Sequence, residues 1–215
     1  MVSVVLVDNG EPTLKQCVDS IRNQSVRVDE IILVSGPKTD KSLAWELADY
    51  VIGPYEYIGY GRFVGIQRAG NDIVMLADSD TIYDRDYVKH ALESIQKSVI
   101  VKAGSVHPLD TKDPLWVFDY IMFRITGAYE FGWVINRDKL LNYFTTTDIN
   151  KLMNPRTDLG HIVSLKPIKS SVNYKMVCWT RLPTYFTKNY LIPTVGTVAV
   201  SSIIPALVVK SALKV

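Results

Sequence analysis

The stretch Ile73-Val74-Met75-Leu76-Ala77-Asp78-Ser79-Asp80 joins an unbroken apolar run to two carboxylates one residue apart. Such a run predicts a strand buried on both faces, as in a sheet covered by helices. Two acids at i and i+2 leaving a strand do not both point into a packed sheet. Where the strand ends the backbone turns, and both can converge on one small ion. Mg²⁺ or Mn²⁺ takes hard oxygen ligands and is commonly held by one or two carboxylates, with phosphates and water completing the shell. The ion in turn neutralises a departing diphosphate. The other reading is local: Asp78 and Asp80 cap the next helix or form a turn.

Working outward from that strand, Val2-Ser3-Val4-Val5-Leu6-Val7 is a similar β-branched run, broken by Asp8-Asn9-Gly10. Leu14, Cys17, Val18 and Ile21 then recur at i, i+3, i+4 and i+7, one face of a helix with Pro12 in its first turn. Ile31 to Val34 predicts a second strand, stopped by Ser35-Gly36-Pro37, and Asp40 an N-cap for a helix with Ala44, Leu47 and Ala48 inward. Val51-Ile52 is a short third strand. A Tyr- and Gly-rich loop from Pro54 to Gly61 leads into a helix of about two turns ending at Ala69. The triplet thus ends a fourth strand, and Asp84 caps a helix with Val88, Ala91, Leu92 and Ile95 on one side.

Strand–helix alternation of this kind implies an α/β fold with a mainly parallel sheet flanked by helices. Ligands bind such sheets beyond the carboxyl ends of the strands, and Asp8, Ser35 and Asp78 all stand at such ends. After residue 98 the alternation weakens: Ile100-Val101 predicts a strand, residues 114–125 an aromatic helix, and Phe131 to Ile135 a strand. A short helix from Asp138, a helical stretch over 154–166 holding Asp158, and a strand over 174–178 complete the reading.

Composition narrows the classes. Hydrophobic residues make up 47% of 215 and charged residues 21%, enough for a core and too apolar for a disordered chain. A net charge of +2, with no Lys/Arg cluster, argues against nucleic acid as a partner. Cys17 and Cys178 lie far apart and outside any CxxC, which favours two reduced core thiols over a disulfide. His90, His107 and His161 show no metal-ligand spacing. The first residues lack a basic n-region and a cleavage site, so no signal peptide is expected. Residues 191–209 carry no charge and just reach the roughly 20 residues that cross a bilayer. They predict either a C-terminal membrane anchor or a hydrophobic tail packed on the domain or in the membrane interface. The expected division is therefore a domain over 1–188 and a hydrophobic segment over 189–215, with a location at the cytoplasmic face of a membrane.

The first hundred residues resemble a family-2 glycosyltransferase of the GT-A (Rossmann-like) fold. The resemblance rests on Val2 to Val7 with Asn9 and Glu11, on Cys17-Val18-Asp19-Ser20-Ile21 with Asn23-Gln24, and on Asp29 to Val34. It continues through Gly61-Arg62-Phe63-Val64-Gly65-Ile66, Ala69 to Val74, and Asp78-Ser79-Asp80, which stands as the family's DXD motif. Thr126-Gly127-Ala128 with Trp133 to Arg137 is similar to the acceptor-side segment. Thr157-Asp158-Leu159-Gly160 falls where the family keeps a Glu-Asp base motif. The resemblance covers residues 2–182 and is more specific in its first half.

It implies an inverting, metal-dependent glycosyltransferase of hexosyltransferase type, moving a sugar from a nucleotide-diphosphate donor to a hydroxyl or lipid-phosphate acceptor. The acceptor would be lipid-linked, a glycan or a protein. Asp80 with Asp78 would hold Mg²⁺ or Mn²⁺; Asp78 and Ser79 would face the nucleotide sugar, with Asp8, Asn9, Ser35 and Arg62 lining it. Asp158 would be the general base. Asp158 also reads as a helix N-cap, and Arg62 as a surface cation. Three features depart from the family, one being an opening strand that lacks the usual Pro and is one residue shorter before its helix. Ser35 stands where an acid usually meets the nucleotide, and Thr157 replaces the Glu of the base motif. No Gln-x-x-Arg-Trp occurs, which argues against a processive synthase. The departures leave room for a degenerate protein that binds nucleotide sugar without catalysis. A haloacid-dehalogenase-type phosphatase also places Asp-x-Asp after an apolar strand, but normally in the first strand.

Overall fold

The computed structural model describes residues 1–109, 132–154 and 157–181. These fall in one compact unit made of Met1–Asp110 and Ala128–Arg181. The expected aromatic helix over 114–125 and the segment 189–215 lie outside the described residues.

The first half follows the alternation. Strand β1 (Val2–Asp8) is buried along its whole length and runs parallel to both β2 (Glu30–Ser35) and β4 (Ile73–Asp78). Strand β3 (Tyr50–Ile52) adds in parallel to β2 at the edge. Between them come α1 (Leu14–Arg22), α2 (Lys41–Leu47) and α3 (Ile58–Arg68). α1 buries Leu14, Cys17, Val18 and Ile21, the stripe its spacing predicts. Asp40 caps α2 through the backbone N–H groups of Ser42 and Leu43.

α3 starts earlier than its glycines suggest, so Gly59 and Gly61 are helical rather than part of a loop. The reason is packing. A Cβ on Gly61 would stand 2.6 Å from Val34 Cγ1, and one on Gly65 2.5 Å from Val5 Cγ1. Glycine's cost in a helix is about 1 kcal/mol; here it lets the α3 backbone lie directly on β1 and β2.

The second half corrects the expected Rossmann-like, mainly parallel sheet. Strands β5 (Thr81–Tyr83), β6 (Ile100–Pro108), β7 (Val134–Asn136) and β8 (Ser170–Thr180) extend the sheet in the order β3-β2-β1-β4-β7-β6-β8-β5. β7 is antiparallel to both β4 and β6, β8 is parallel to β6, and β5 is antiparallel to β8. The sheet is therefore mixed. It is also curled: only Ser79 and Asp80 separate β4 from β5, yet β5 stands four places along the sheet order. A flat sheet would set those strands roughly 19 Å apart at about 4.8 Å per strand. Three Cα–Cα steps reach at most about 11 Å. The sheet bends into a half-barrel that brings the end of β8 round to the end of β4. A register shift between Ala103 and Ser105 marks the bend in β6.

Helix α4 (Tyr87–Ile95) buries Tyr87, Val88, Ala91 and Ile95. Asp84 does not cap it; its carboxylate accepts from the Asp86 N–H in the turn before the helix. The short helices α5 (Arg137–Leu141), α6 (Thr146–Leu152) and α7 (Leu159–Ser164) join α3 over one sheet face. Phe63, Ile66, Leu140, Leu152, Leu159 and Ile162 there share a core with Val5, Ile32, Val74 and Leu76.

No helix among the described residues is long and apolar enough to cross a membrane. The expected membrane partner and the location at a membrane's cytoplasmic face both rested on residues 191–209, which lie outside the described residues. Those two expectations are corrected: the described fold supplies no spanning helix for either.

Candidate active site

Alternation along β4 puts Val74 and Leu76 in the core beneath α3, and so aims Asp78 at the same side. There it meets Arg62. One terminal nitrogen of Arg62 donates to Asp78 Oδ1 at 2.5 Å, and the other to Asp158 Oδ2 at 2.6 Å. The Arg62 side chain is only 7% exposed, against 23% for Asp78 and 35% for Asp158. Arg62 is therefore a buried fork between two carboxylates and not a surface cation. Its guanidinium stays charged at any relevant pH and its planar geometry suits two acceptors at once.

Asp158 fulfils its N-cap reading. It is the N-cap of α7, accepting from the Leu159 N–H at 2.7 Å, while its other oxygen takes Arg62. His161 accepts from the Asp158 backbone N–H through Nδ1. Histidine thus plays the reciprocal part that Glu or Gln usually plays in a capping box.

The backbone of the triplet is pinned from several elements. The Asp78 carbonyl accepts from Cys17 Sγ, and its N–H donates to the Tyr83 hydroxyl. Ser79 is buried, its N–H bonded to the Val7 carbonyl and its own carbonyl to the Thr13 hydroxyl. Burial, and then Asp80 and Asp78, push the Cys17 thiol well up; burial, and then Cys17 and Tyr87, do the same to the Tyr83 phenol. Cys178 is pushed up to about 12 by burial and by Asp80. Both cysteines are buried and free, as expected of reduced core thiols.

Asp80 is a strongly perturbed carboxyl. Burial first, and then the charge of Asp78, push it up to about 7, with a smaller contribution from Glu11. The Thr81 hydroxyl lies 3.1 Å from Asp80 Oδ1 and opposes the shift. A half-buried carboxyl crowded by other acids is a place where a divalent cation gains most, because it removes the repulsion. The donors are hard oxygens, which suits Mg²⁺ or Mn²⁺. Among the described residues no group of three or more His, Cys, Asp or Glu could hold a metal ion. An ion bound here would take one or two carboxylates and complete its shell with phosphates and water, since no protein-only cage is present among the described residues.

The remaining predicted residues serve the strand ends. The Asp8 carboxylate is buried and accepts from the N–H groups of Gly10 and Glu11, fixing the β1–α1 turn. Asn9 Oδ1 accepts from the Lys38 N–H. The Ser35 hydroxyl donates to the Ile52 carbonyl, tying β2 to β3. All three stand at carboxyl ends of parallel strands, but these contacts are intramolecular. Sequence reasoning missed Glu11, Thr81, Thr180 and Arg181 as neighbours of Asp80. Glu11 was named only within a motif, and no spacing links Thr180 to Asp80 across 100 positions.

Residues 3–153 match the family profile described as Glycosyl transferase family 2. No curated protein matches the chain in sequence. Among solved structures, S. aureus TarS superposes with a TM-score of 0.58 at 16% identity, covering 85% of this chain and 37% of that one. The structure of S. aureus TarS 1-349 in complex with UDP gives 0.58 at 14%, covering 85% and 61%. The same segment in complex with UDP-GlcNAc gives 0.59 at 15%, covering 84% and 58%. The chain thus spans less than two thirds of these solved chains, and the likeness is one of fold.

Proposed function

The chain belongs to glycosyl transferase family 2, whose members transfer sugars and handle nucleotide sugars, and from that premise we propose an inverting, divalent-metal-dependent glycosyltransferase. The observation that supports it most is the Arg62 fork, which joins Asp78 at the end of β4 to Asp158 at the head of α7. Two acids far apart in sequence share one guanidinium and so stand in one site, as donor-side and acceptor-side groups must for in-line attack.

In this reading Asp80, with Asp78, holds the Mg²⁺ or Mn²⁺ whose use is typical of the family, and Ser79, Asp8, Asn9 and Ser35 line the nucleotide side. The ion, when bound, supplies charge neutralisation for the departing diphosphate. Asp158 Oδ2 takes the proton of the acceptor hydroxyl, and its cap to the Leu159 N–H keeps the carboxylate aimed while it does so. Arg62 stays cationic throughout and holds Asp158 and Asp78 at a fixed separation. The sheet and α3 exclude water from one side of the pair. Membership of the family displaces the phosphatase reading.

The test is transfer or donor hydrolysis with a panel of UDP-, GDP- and dTDP-sugars and Mn²⁺. UDP-sugars come first because TarS, with the same fold, was solved with UDP and UDP-GlcNAc. Nucleotide release is expected with one donor class, lost in Asp80→Ala and in Asp158→Asn. Full activity of Asp80→Ala in excess chelator would overturn the metal-dependent mechanism. Ser35, whose hydroxyl is committed to Ile52, favours one second reading: binding without turnover would mark a degenerate nucleotide-sugar-binding protein.

A further inference from the structure

The curl of the sheet brings the last residues of β8 to the acidic triplet. Thr81 and Thr180 face each other across β5 and β8, and both are fully buried. Their hydroxyl oxygens lie 2.9 Å apart. The third corner of the triangle is Asp80 Oδ1, 3.1 Å from Thr81 Oγ1 and 3.5 Å from Thr180 Oγ1. Immediately beyond, the Arg181 N–H donates to the Asp80 carbonyl at 3.1 Å.

A threonine pair on adjacent antiparallel strands is ordinarily a packing feature worth a few tenths of a kcal/mol to about 1 kcal/mol. This pair has more to do. Each hydroxyl has one proton; when Thr180 donates to Thr81, the Thr81 proton goes to Asp80 Oδ1 at 3.1 Å, and in the opposite order the Thr180 proton has Asp80 Oδ1 and the Arg181 carbonyl as acceptors, each at 3.5 Å. The bond to Asp80 Oδ1 fixes the rotation of the carboxyl about its Cβ–Cγ axis. With Oδ1 tied to the buried hydroxyls, Oδ2 is the oxygen left to face away from them. The Arg181 N–H holds the Asp80 backbone so that the side chain starts from a fixed point.

We propose that Thr180, acting with Thr81, is a positioning residue that sets the Asp80 carboxylate for its divalent cation, so that the far sheet half contributes to the donor site. This rests on the reading of Asp80 as a metal ligand given above. Neither threonine touches the ion or the donor. Their part is to orient a ligand, as hydrogen-bonded partners of metal ligands commonly do.

The experiment titrates Mn²⁺ alone into the full chain and follows loss of the free-ion paramagnetic resonance signal, with thermal unfolding recorded for each variant. Thr180→Val keeps the shape and removes the hydroxyl; Thr180→Ser keeps the hydroxyl and removes a methyl. Removing an orienting partner weakens metal binding by about 10- to 100-fold, and that is the loss expected for Thr180→Val, with Thr180→Ser close to the unaltered protein. Thr81→Val should weaken binding in the same direction, which serves if Thr180→Val does not fold. Mn²⁺ affinity unchanged in folded Thr180→Val, or lost equally in Thr180→Ser, overturns the positioning role and leaves the metal site standing. Absence of Mn²⁺ binding by the unaltered chain, or full binding by Asp80→Asn, overturns the metal reading itself and this inference with it.

Discussion

Gly59 stands so close to Asp158 that a Cβ on it would lie 3.0 Å from the Asp158 Cα and 3.1 Å from its Oδ1, with the Thr157 carbonyl at 2.9 Å. The first turn of α3 therefore touches the loop that carries the proposed base. Arg62 follows on the same helix face at i+3 and reaches Asp158 from there. One small residue sets the approach, and one cation closes it.

Gly59→Ala tests that contact. At an unhindered helical position the change would stabilise by up to about 1 kcal/mol. Here the new methyl meets backbone atoms, so the Asp158 loop must shift by a few tenths of an ångström. Misplacement of reacting groups can cost on the order of 100-fold. Sugar transfer is expected to fall at least ten-fold, and the melting temperature to fall with it because the atoms that must move are backbone; an unchanged rate in the folded variant would show that this approach does not position the base.

Arg62 can be tested through stability as well as activity. Arg62→Met leaves Asp78 and Asp158 facing each other without their shared cation. Loss of one partner from a buried pair costs about 3–5 kcal/mol, and the partial exposure of both acids brings the expected loss nearer about 2 kcal/mol. Arg62→Lys keeps the charge but has no fork for two acceptors. It should recover some stability in urea denaturation and little transfer activity.

Much of the first half of the fold was legible because its signals are local. The buried runs of β1, β2 and β4 and the Leu14–Ile21 stripe of α1 are each decided by neighbours in sequence. The start of α3 was not, because Gly59 and Gly61 look like loop residues until Val34 and the Asp158 loop are packed against them. The mixed half of the sheet was hidden for a similar reason. Strand direction in β6, β7 and β8 depends on long-range pairing, and no apolar period records it. At the site, Asp78 and Asp80 announced themselves at a strand end. The Arg62 fork and the Thr180 contact depend on elements 96 and 100 positions away, and only the folded chain brings them together.

Asp80 predicts an unusual pH dependence. Its folded value, about 7, lies above the ordinary aspartate value near 3.9. Between those values the folded state binds the proton that the unfolded state has lost. Its contribution to stability is therefore full below about pH 4 and is lost as pH rises through about 7. With chelator present, Asp80→Asn should remove that decline, and its advantage over the unaltered chain should be larger at pH 8 than at pH 5. Mn²⁺ should stabilise the unaltered chain most at the higher pH, where Asp80 is charged. The same pH slope in Asp80→Asn would assign the effect to another group.

Asp148 gives the opposite sign and lies outside the site. Its carboxylate accepts from Lys166 Nζ at 2.7 Å and from the backbone N–H and hydroxyl of Thr145, closing a capping box at the head of α6. The Lys166 hydrogen bond, followed by those from Thr145, holds it well below the ordinary aspartate range. The unfolded chain binds the proton first, so this stability is present above about pH 4 and is lost as pH falls toward the folded value. Asp148→Ala should cost about 1–2 kcal/mol at pH 7 from the cap and the abandoned Lys166. In acid titrations of stability, Asp148→Asn should flatten the curve below pH 4 while leaving the Asp80 decline at higher pH intact. Loss of both slopes in that single variant would mean that the two carboxyls do not titrate independently.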